Sequence, residues 1–384
     1  MNGKLESLTE RLLILALIIV FILLLILSPS GENSSLQNID EGGRGFRYER
    51  PLITVDCCEE IQTSEKTCEK AAAMPVTPAG VLSAPADKPY TLGRVYDRNL
   101  WVKVVVENNG NTPSQNIRLE IPLLGELDSP YQRTVKESYS REPVDVIKLK
   151  NNNRVGVFRI DSLPPGASDV ITLEYYLNVY PMHANFSTNS KKNARGAPAG
   201  YLEASEKIES NHPKIVAKAR ELTASCSTDL EKAQAFYKFV IAHINYDLNS
   251  STRNTGALGA LQSRSGVCEE YASLFTALCR ASGIPARVVN GYADPQGTGG
   301  IWNIAPGESF PLRGYRHSWS EFFLNGAGWL PADPAMNINN NGFKYFGSLP
   351  QASHLAQNYE DIPLNVRYSG GQLSVTWEEG LVGF

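Results

Sequence analysis

The pattern of hydrophobic and polar positions has period two between about residues 90 and 185. The segment NIRLEIPLL carries apolar side chains at positions 117, 119, 121 and 123, and VITLEYYLNV repeats the pattern from Ile171 to Val179. Turn sequences separate such segments at NNGN, KNNN and LPPG. Alternation of this kind predicts antiparallel strands with one buried face, and the turn spacing predicts a small β-sandwich over residues 90–185.

From about residue 200 the apolar positions recur at helical spacing instead. Pro213 opens a helix in PKIVAKARELTAS, and Thr228 with Glu231 forms a capping box for a second helix in DLEKAQAFYKFVIAHI. The apolar stripe of this second helix consists of Phe236, Phe239, Val240 and His243. Because His243 lies on a core face, it is predicted to be a packed histidine rather than a ligand.

The longest apolar run lies near the amino terminus, where Leu12 to Leu27 form sixteen consecutive apolar residues. As a helix at ~1.5 Å per residue this run covers about 24 Å, close to a ~30 Å hydrocarbon core. Lys4 and Arg11 precede the run and no basic residue follows before Arg44, so the rest of the chain is predicted to lie outside the cytoplasm. The alternative is a cleaved signal peptide.

Residues 31–89 have no apolar periodicity and are predicted to be a linker with a cysteine-containing segment. Cys57, Cys58 and Cys68 lie there. In an exported chain one disulfide is expected, between Cys68 and either Cys57 or Cys58. A metal site is disfavoured because the segment has no C-x-x-C motif and no nearby histidine.

Composition narrows the possible functions only a little. The 384 residues and an apolar fraction of 42% allow two domains with buried cores. The net charge is −4, and no clustered basic face is found. Because nucleic-acid binding requires such a face, we predict no nucleic-acid partner.

Candidate chemistry begins in SRSGVCEEYASLFTALCRASGIPAR, where helical spacing predicts a third helix from about Val267 to Ser282. Cys268 then occupies its first turn, where free backbone N–H groups and the helix dipole favour a thiolate. Cys279 follows eleven residues later, about 16 Å away along the helix, and is predicted to face the core. The two thiols are too far apart for a disulfide.

A thiolate nucleophile needs a base, and the chain has five histidines. His183, His212 and His354 lie in segments without periodicity and are predicted to be surface or loop residues. His317 lies in YRHSWSEFFLNGAGWLPADPA, whose alternation predicts a strand followed by a hairpin turn at NGAG. We therefore take His317 as the candidate base.

The register of this hairpin decides whether Asp333 reaches His317. A two- or four-residue loop would place Asp333 on the opposite face of the sheet. A three-residue loop pairs Leu324 with Gly328, matches apolar with apolar residues and places Asp333 one diagonal from His317. Their Cβ atoms would then be about 5–8 Å apart, so that the carboxylate can orient the imidazole.

The segments from Thr255 to Tyr292 and from His317 to Ala335 resemble the transglutaminase-like (papain-related) superfamily, especially its prokaryotic membrane-associated members. The resemblance covers about residues 200–345 and implies Cys268 as nucleophile, His317 as general base and acid, and Asp333 as orienter. It implies a protein or peptide substrate, with no cofactor or metal at the site. An upstream aromatic residue assists the oxyanion in the family, and Tyr246 is the nearest candidate here, with a packing role as the alternative.

The predicted fold class is α+β, with a papain/transglutaminase-like catalytic domain after a β-sandwich and an N-terminal transmembrane helix. The predicted segments are a cytoplasmic tip and anchor (1–30), a linker (31–89), the sandwich (90–185), the catalytic domain (200–345) and a C-terminal β extension (346–384), in which Leu364 to Phe384 would form a hairpin. The expected function is a single-pass, extracytoplasmic thiol acyltransferase or peptidase. The alternative is a catalytically silent binding module.

Overall fold

The computed structural model describes the strand Ile53–Cys57 and residues 89–186, 199–338 and 342–384. The predicted anchor at Leu12–Leu27 and the pairing of the N-terminal cysteines lie outside the described residues and stay predictions. Across these described ranges, no helix combines the length and apolar character that a membrane span requires.

The described elements are β-rich, with four α-helices inserted between two groups of strands. The strands are β1 (Ile53–Cys57), β2 (Tyr90–Leu92), β3 (Tyr96–Asn108), β4 (Ser114–Leu123), β5 (Gln132–Tyr139), β6 (Asp145–Lys148), β7 (Arg154–Leu163), β8 (Ser168–Val179), β9 (Met182–Ala184), β10 (Asn245–Tyr246), β11 (Ser265–Gly266), β12 (Ala286–Ala293), β13 (Ser309–Pro311), β14 (Arg316–Leu324), β15 (Gly328–Ala332), β16 (Ser348–Leu349), β17 (His354–Tyr359), β18 (Leu364–Ser369) and β19 (Leu373–Val382). The helices are α1 (Pro213–Leu222), α2 (Asp229–His243), α3 (Gly256–Ser263) and α4 (Cys268–Ala281).

Two five-stranded sheets form a sandwich, in the orders β1-β18-β4-β7-β6 and β13-β19-β3-β8-β5. It extends beyond the predicted range 90–185, because β1 from the predicted linker and the later strands β13, β18 and β19 join it. The alternating residues of β4 and β8 are buried as the sequence pattern predicted. Side chains from both sheets join one hydrophobic cluster that includes Leu119, Phe158, Leu173 and Val375. The period-two pattern therefore reports a core between two sheets.

The carboxyl-terminal strands differ from the predicted hairpin. β18 pairs with β4 in one sheet, whereas β19 pairs with β3 over ten residues in the other sheet. The turn at Gly370 and Gly371, both with positive φ, carries the chain from one sheet to the other. The C-terminal extension thus contributes one strand to each sheet of the sandwich.

A second core surrounds a four-stranded antiparallel sheet in the order β15-β14-β12-β17. Helix α4 packs on this sheet, and all but two of its residues are buried. The capping box of α2 is present, since Thr228 Oγ1 accepts the N–H of Glu231 and the Glu231 carboxylate accepts the N–H of Thr228. The α+β class and the helix positions expected from the sequence are confirmed.

A buried ion pair fixes this sheet against the segment that precedes β5. Arg287 lies between the rings of Trp329 and Tyr359, 3.8 and 3.7 Å from their centroids, and its Nε donates to Glu321 Oε2 at 2.8 Å. The other oxygen of Glu321 accepts the hydroxyl of Tyr131 at 2.6 Å. The Arg287 and Glu321 side chains are at most 1% exposed, so solvent water cannot take the place of a lost hydrogen-bond partner.

We predict that Glu321→Gln lowers the free energy of unfolding by about 3–5 kcal/mol, because it leaves the buried Arg287 guanidinium without its main counter-charge. Urea unfolding measures this difference. The matched control is Glu221→Gln, which breaks an exposed pair with Lys218 on α1 and should change stability by less than about 0.5 kcal/mol. Equal, small effects of both substitutions would contradict the assignment of Glu321 as the main counter-charge of Arg287.

Candidate active site

Cys268 is the first residue of α4, and a buried carboxylate fixes its position. Glu270 Oε2 accepts the N–H of Val267 at 3.0 Å, and Oε1 accepts the N–H of Asn254 at 2.6 Å. A Cβ at Gly266 would lie 2.5 Å from Glu270 Cβ, so only glycine fits beside this carboxylate. The chain therefore enters the helix in one conformation and presents the thiol at its amino-terminal end.

Cys279 is fully buried on the same helix. Burial raises the pKa of the Cys279 thiol well above its usual value, so this thiol stays protonated. Cys226, Cys268 and Cys279 are all free thiols. The predicted contrast between Cys268 at the helix start and Cys279 in the core is seen in the structure.

His317 and Asp333 meet through the predicted hairpin register. β14 and β15 pair Leu324 with Gly328 and Phe323 with Trp329, and the ladder ends at Ser320 and Ala332. Asp333 follows directly, and His317 Nε2 lies 2.6 Å from Asp333 Oδ2. The three-residue loop is therefore confirmed, and it brings these two side chains into hydrogen-bond contact.

The backbone and carboxylate of Asp333 are held from several sides. Asp333 is fully buried, and its N–H donates to the Tyr345 carbonyl at 2.8 Å. The Tyr237 hydroxyl donates to the Asp333 carbonyl at 3.0 Å, and Oδ1 accepts the N–H of Met336 at 3.0 Å. These bonds direct the remaining oxygen, Oδ2, toward His317.

The electrostatics of this group favour a charged imidazole. Burial alone would lower the pKa of His317, but the charge of Asp333, the neighbouring Cys268 and hydrogen bonds to both raise it to about 10. Burial would raise the pKa of Asp333, yet His317 and His354 hold it below its usual range. With Nε2 engaged by Asp333, Nδ1 is the ring nitrogen that can accept a proton from Cys268.

His354 corrects the sequence prediction, which placed it at the surface or in a loop. It begins β17 and is only 1% exposed. Its Nε2 lies 2.9 Å from Asp333 Oδ2, the oxygen that also contacts His317. Every residue of β17 is buried, so this strand has no alternation of polar and apolar positions by which the sequence could reveal it.

The other histidines lie away from this group. His183 is exposed on β9 and hydrogen-bonds Ser348. His212 caps α1 and accepts the N–H of Lys214. His243 stacks on Phe239 with ring centroids 4.5 Å apart, which fits its predicted packing role.

Tyr246 lies close to the nucleophile position. β10 runs parallel to β11 and pairs Tyr246 with Gly266, two residues before Cys268. Burial, followed by the charges of Cys268 and Asp333, raises the pKa of Tyr246, so its hydroxyl stays protonated near the thiol. The side chain is 41% exposed, which favours a position at the edge of the site over packing in the core.

His317, Asp333 and His354 are side chains of the types that bind metals, and their ligand atoms lie within 4.8 Å of one another. The separations of 2.6 and 2.9 Å from Asp333 Oδ2 are those of direct hydrogen bonds. In this structure the three side chains are joined by these two hydrogen bonds.

Comparison with protein families gives a match to the transglutaminase-like superfamily over residues 216–334. This range includes Cys268, His317 and Asp333, whereas His354 lies beyond it. The resemblance expected from the sequence motifs is thereby confirmed for this part of the chain.

Two relatives and one solved structure illustrate the similarity. A protein-glutamine gamma-glutamyltransferase from Pseudomonas aeruginosa is 30% identical over 128 residues, which are 32% of this chain and 18% of that protein. The human kyphoscoliosis peptidase is 27% identical over 135 residues, 33% of this chain and 19% of that protein. A Cytophaga hutchinsonii structure described as a candidate cysteine protease has a TM-score of 0.49 and 15% identity, covering 77% of this chain and 93% of its own. The match thus spans less than a fifth of either relative's length.

Proposed function

We propose that this protein is a thiol acyltransferase or peptidase acting on amide bonds of protein or cell-envelope substrates. The proposal rests first on the transglutaminase-like domain at residues 216–334. Cys268 is the nucleophile, His317 the general base and acid, and Asp333 the orienter. One observation carries this proposal. His317 Nε2 lies 2.6 Å from Asp333 Oδ2, and Cys268 is close enough to His317 to help raise the pKa of the imidazole.

In the acylation half-reaction, His317 takes the thiol proton and the Cys268 thiolate attacks the carbonyl carbon of the substrate amide. The carbonyl π-bond opens to an oxyanion in a tetrahedral intermediate. Tyr246, whose hydroxyl stays protonated at the edge of the site, is the candidate donor to this oxyanion. Collapse breaks the C–N bond, His317 gives its proton to the leaving amine, and a thioester on Cys268 remains.

In the second half-reaction, His317 is again neutral and removes a proton from the acceptor as it attacks the thioester. Water as acceptor gives a carboxylic acid, and an amine gives a new amide. Collapse expels the Cys268 thiolate and leaves His317 protonated beside it, which is the state that the raised pKa of His317 favours. Throughout, Asp333 keeps Nε2 protonated, so that Nδ1 faces the reacting atoms.

The relatives bear both kinds of name, one a glutamyltransferase and the other a peptidase. Whether the acceptor is water or an amine is therefore determined by the following experiment. The full chain in detergent is incubated with a glutamine-containing peptide, with and without a primary alkylamine, and products are identified by mass spectrometry. Amine incorporation indicates a transamidase, and deamidation or cleavage indicates a hydrolase. The control is Cys268→Ser, and absence of any product or Cys268 adduct with a panel of amide substrates would favour the silent binding module.

The location of the enzyme is part of the proposal. Because Lys4 and Arg11 flank only the leading side of the apolar run from Leu12 to Leu27, residues after Ser30 should lie outside the cytoplasm. We predict that protease added to intact protoplasts degrades the large domain while a cytoplasmic marker stays intact. Degradation of the domain only after lysis would contradict the predicted orientation.

A further inference from the structure

Three strands bring a second imidazole onto the carboxylate of the candidate triad. In the sheet, Gly291 of β12 pairs with His317 of β14, and Ala293 of β12 pairs with His354 of β17. Residues two apart on a strand share a face, so both histidines project from the same face. The β12 partners of the two histidines, Gly291 and Ala293, have little or no side chain, which leaves space for both rings to converge on Asp333.

The hydrogen bonds define the protonation state of His354. Asp333 Oδ2 can only accept, so the Nε2 atoms of His317 and His354 both carry protons. His354 Nδ1 lies 2.9 Å from Ser353 Oγ, whose hydroxyl can donate to it. Burial, as the largest effect, lowers the pKa of His354, which agrees with a neutral ring protonated at Nε2.

We propose that His354 is a positioning residue that fixes Asp333 Oδ2 on His317 and, as a neutral donor, takes up part of the carboxylate's charge, thereby limiting how tightly His317 holds its proton. This proposal rests on the proposed function. The reason is chemical: His317 must give its proton to the leaving amine, and an imidazolium bound too tightly by Asp333 is a poor acid. His354 lies beyond residue 334 and therefore outside the range that the family model matches.

Other charged or titratable groups face this cluster and must be considered in any pH experiment. Cys268 and Asp333 act on His317, and Asp294 acts on His354. The rings of Tyr345 and His354 have centroids 6.2 Å apart, and the Tyr237 hydroxyl bonds the Asp333 carbonyl. Only His354, besides His317, donates a side-chain hydrogen bond to the Asp333 carboxylate among the described residues.

A pair of substitutions isolates this donor. His354→Phe keeps a ring but removes the Nε2 proton, whereas His354→Gln restores an N–H donor of similar reach. The matched control is Thr276→Val, which removes a buried hydrogen bond to Ser320 in the same domain without touching Asp333. Circular dichroism and urea unfolding establish that each full-length variant is folded.

The measurement is the rate of Cys268 alkylation by iodoacetamide against pH, with the labelled cysteine identified by mass spectrometry. In the wild type the alkylation rate changes at high pH where His317 loses its proton. The pH at the midpoint of this change is called the upper boundary. In His354→Phe this boundary should rise by about 0.5–1 pH unit, because Asp333 now concentrates its charge on His317. His354→Gln and Thr276→Val should keep the wild-type boundary. A boundary in His354→Phe that stays or falls overturns the proposal.

A measurement on the unsubstituted protein keeps the proposal testable if the phenylalanine variant does not fold. With ¹⁵N-labelled histidine, the NMR signals of His354 should show a proton on Nε2 and none on Nδ1 at neutral pH. A doubly protonated or Nδ1-protonated ring overturns the proposal. If wild-type Cys268 shows no enhanced alkylation at any pH, the proposed function fails instead, so the two failures are distinguishable.

Discussion

Cys268→Ser is expected to lower kcat by about 10⁴–10⁶-fold while leaving the fold intact, which is the range seen when the nucleophile of a catalytic triad is removed. A serine hydroxyl at the start of α4 would keep its proton, because an alcohol is a much weaker acid than a thiol and is therefore a poor nucleophile toward an amide. The measurement is product formation per folded molecule with an amide substrate on which the wild-type protein acts.

The matched control for this substitution is Cys279→Ala on the same helix. Cys279 is fully buried eleven residues later, so its truncation should lower the free energy of unfolding by roughly 1–2 kcal/mol and leave kcat unchanged. Full activity of Cys268→Ser, or equal loss in the two variants, would remove Cys268 from the mechanism.

Asp333→Asn is expected to lower kcat by about 10²–10⁴-fold with little change in KM, since the amide cannot supply the charge that holds His317 in one tautomer. The same change removes the charge that raises the pKa of His317, so the protonated imidazole should be lost at lower pH than in the wild type. Asp333→Ala can behave differently, because it leaves room for a water molecule to bond the ring.

A purely structural role for Asp333 makes a different prediction. Oδ1 accepts the N–H of Met336 and so caps the turn that begins at Pro334. If capping were the only role, both substitutions would lower thermal stability and leave the rate per folded molecule nearly unchanged. Melting temperature and active-site-titrated kcat on the same samples separate the two roles, and an unchanged kcat in Asp333→Asn would exclude this residue from the mechanism.

Local rules predicted the parts of the site that depend on neighbouring residues in the chain. The start of α4 follows from helical periodicity, and its end follows from Gly283, whose φ of 80° is the left-handed conformation that glycine commonly adopts after a helix. The His317–Asp333 contact follows from one hairpin, because matching Phe323 with Trp329 leaves a single register. These features could be derived without knowledge of distant contacts.

The features that were missed depend on contacts between distant segments. His354 reaches Asp333 only because β17 pairs with β12, and a strand covered on both faces carries no periodic signal. The strands β18 and β19 likewise look like a hairpin locally, but their partners β4 and β3 lie more than two hundred residues earlier in the chain. Sequence patterns indicate where strands form, whereas strand pairing depends on how distant segments pack together in the core.

The proposed mechanism requires that the folded structure activates Cys268. The direct test is the rate of iodoacetamide alkylation at neutral pH, measured for each cysteine by mass spectrometry in the folded and the urea-unfolded full-length chain. The account predicts that Cys268 reacts at least about tenfold faster in the folded protein than after unfolding, while buried Cys279 reacts only after unfolding. Equal rates for Cys268 in the folded and unfolded states, or a faster rate after unfolding, would contradict it.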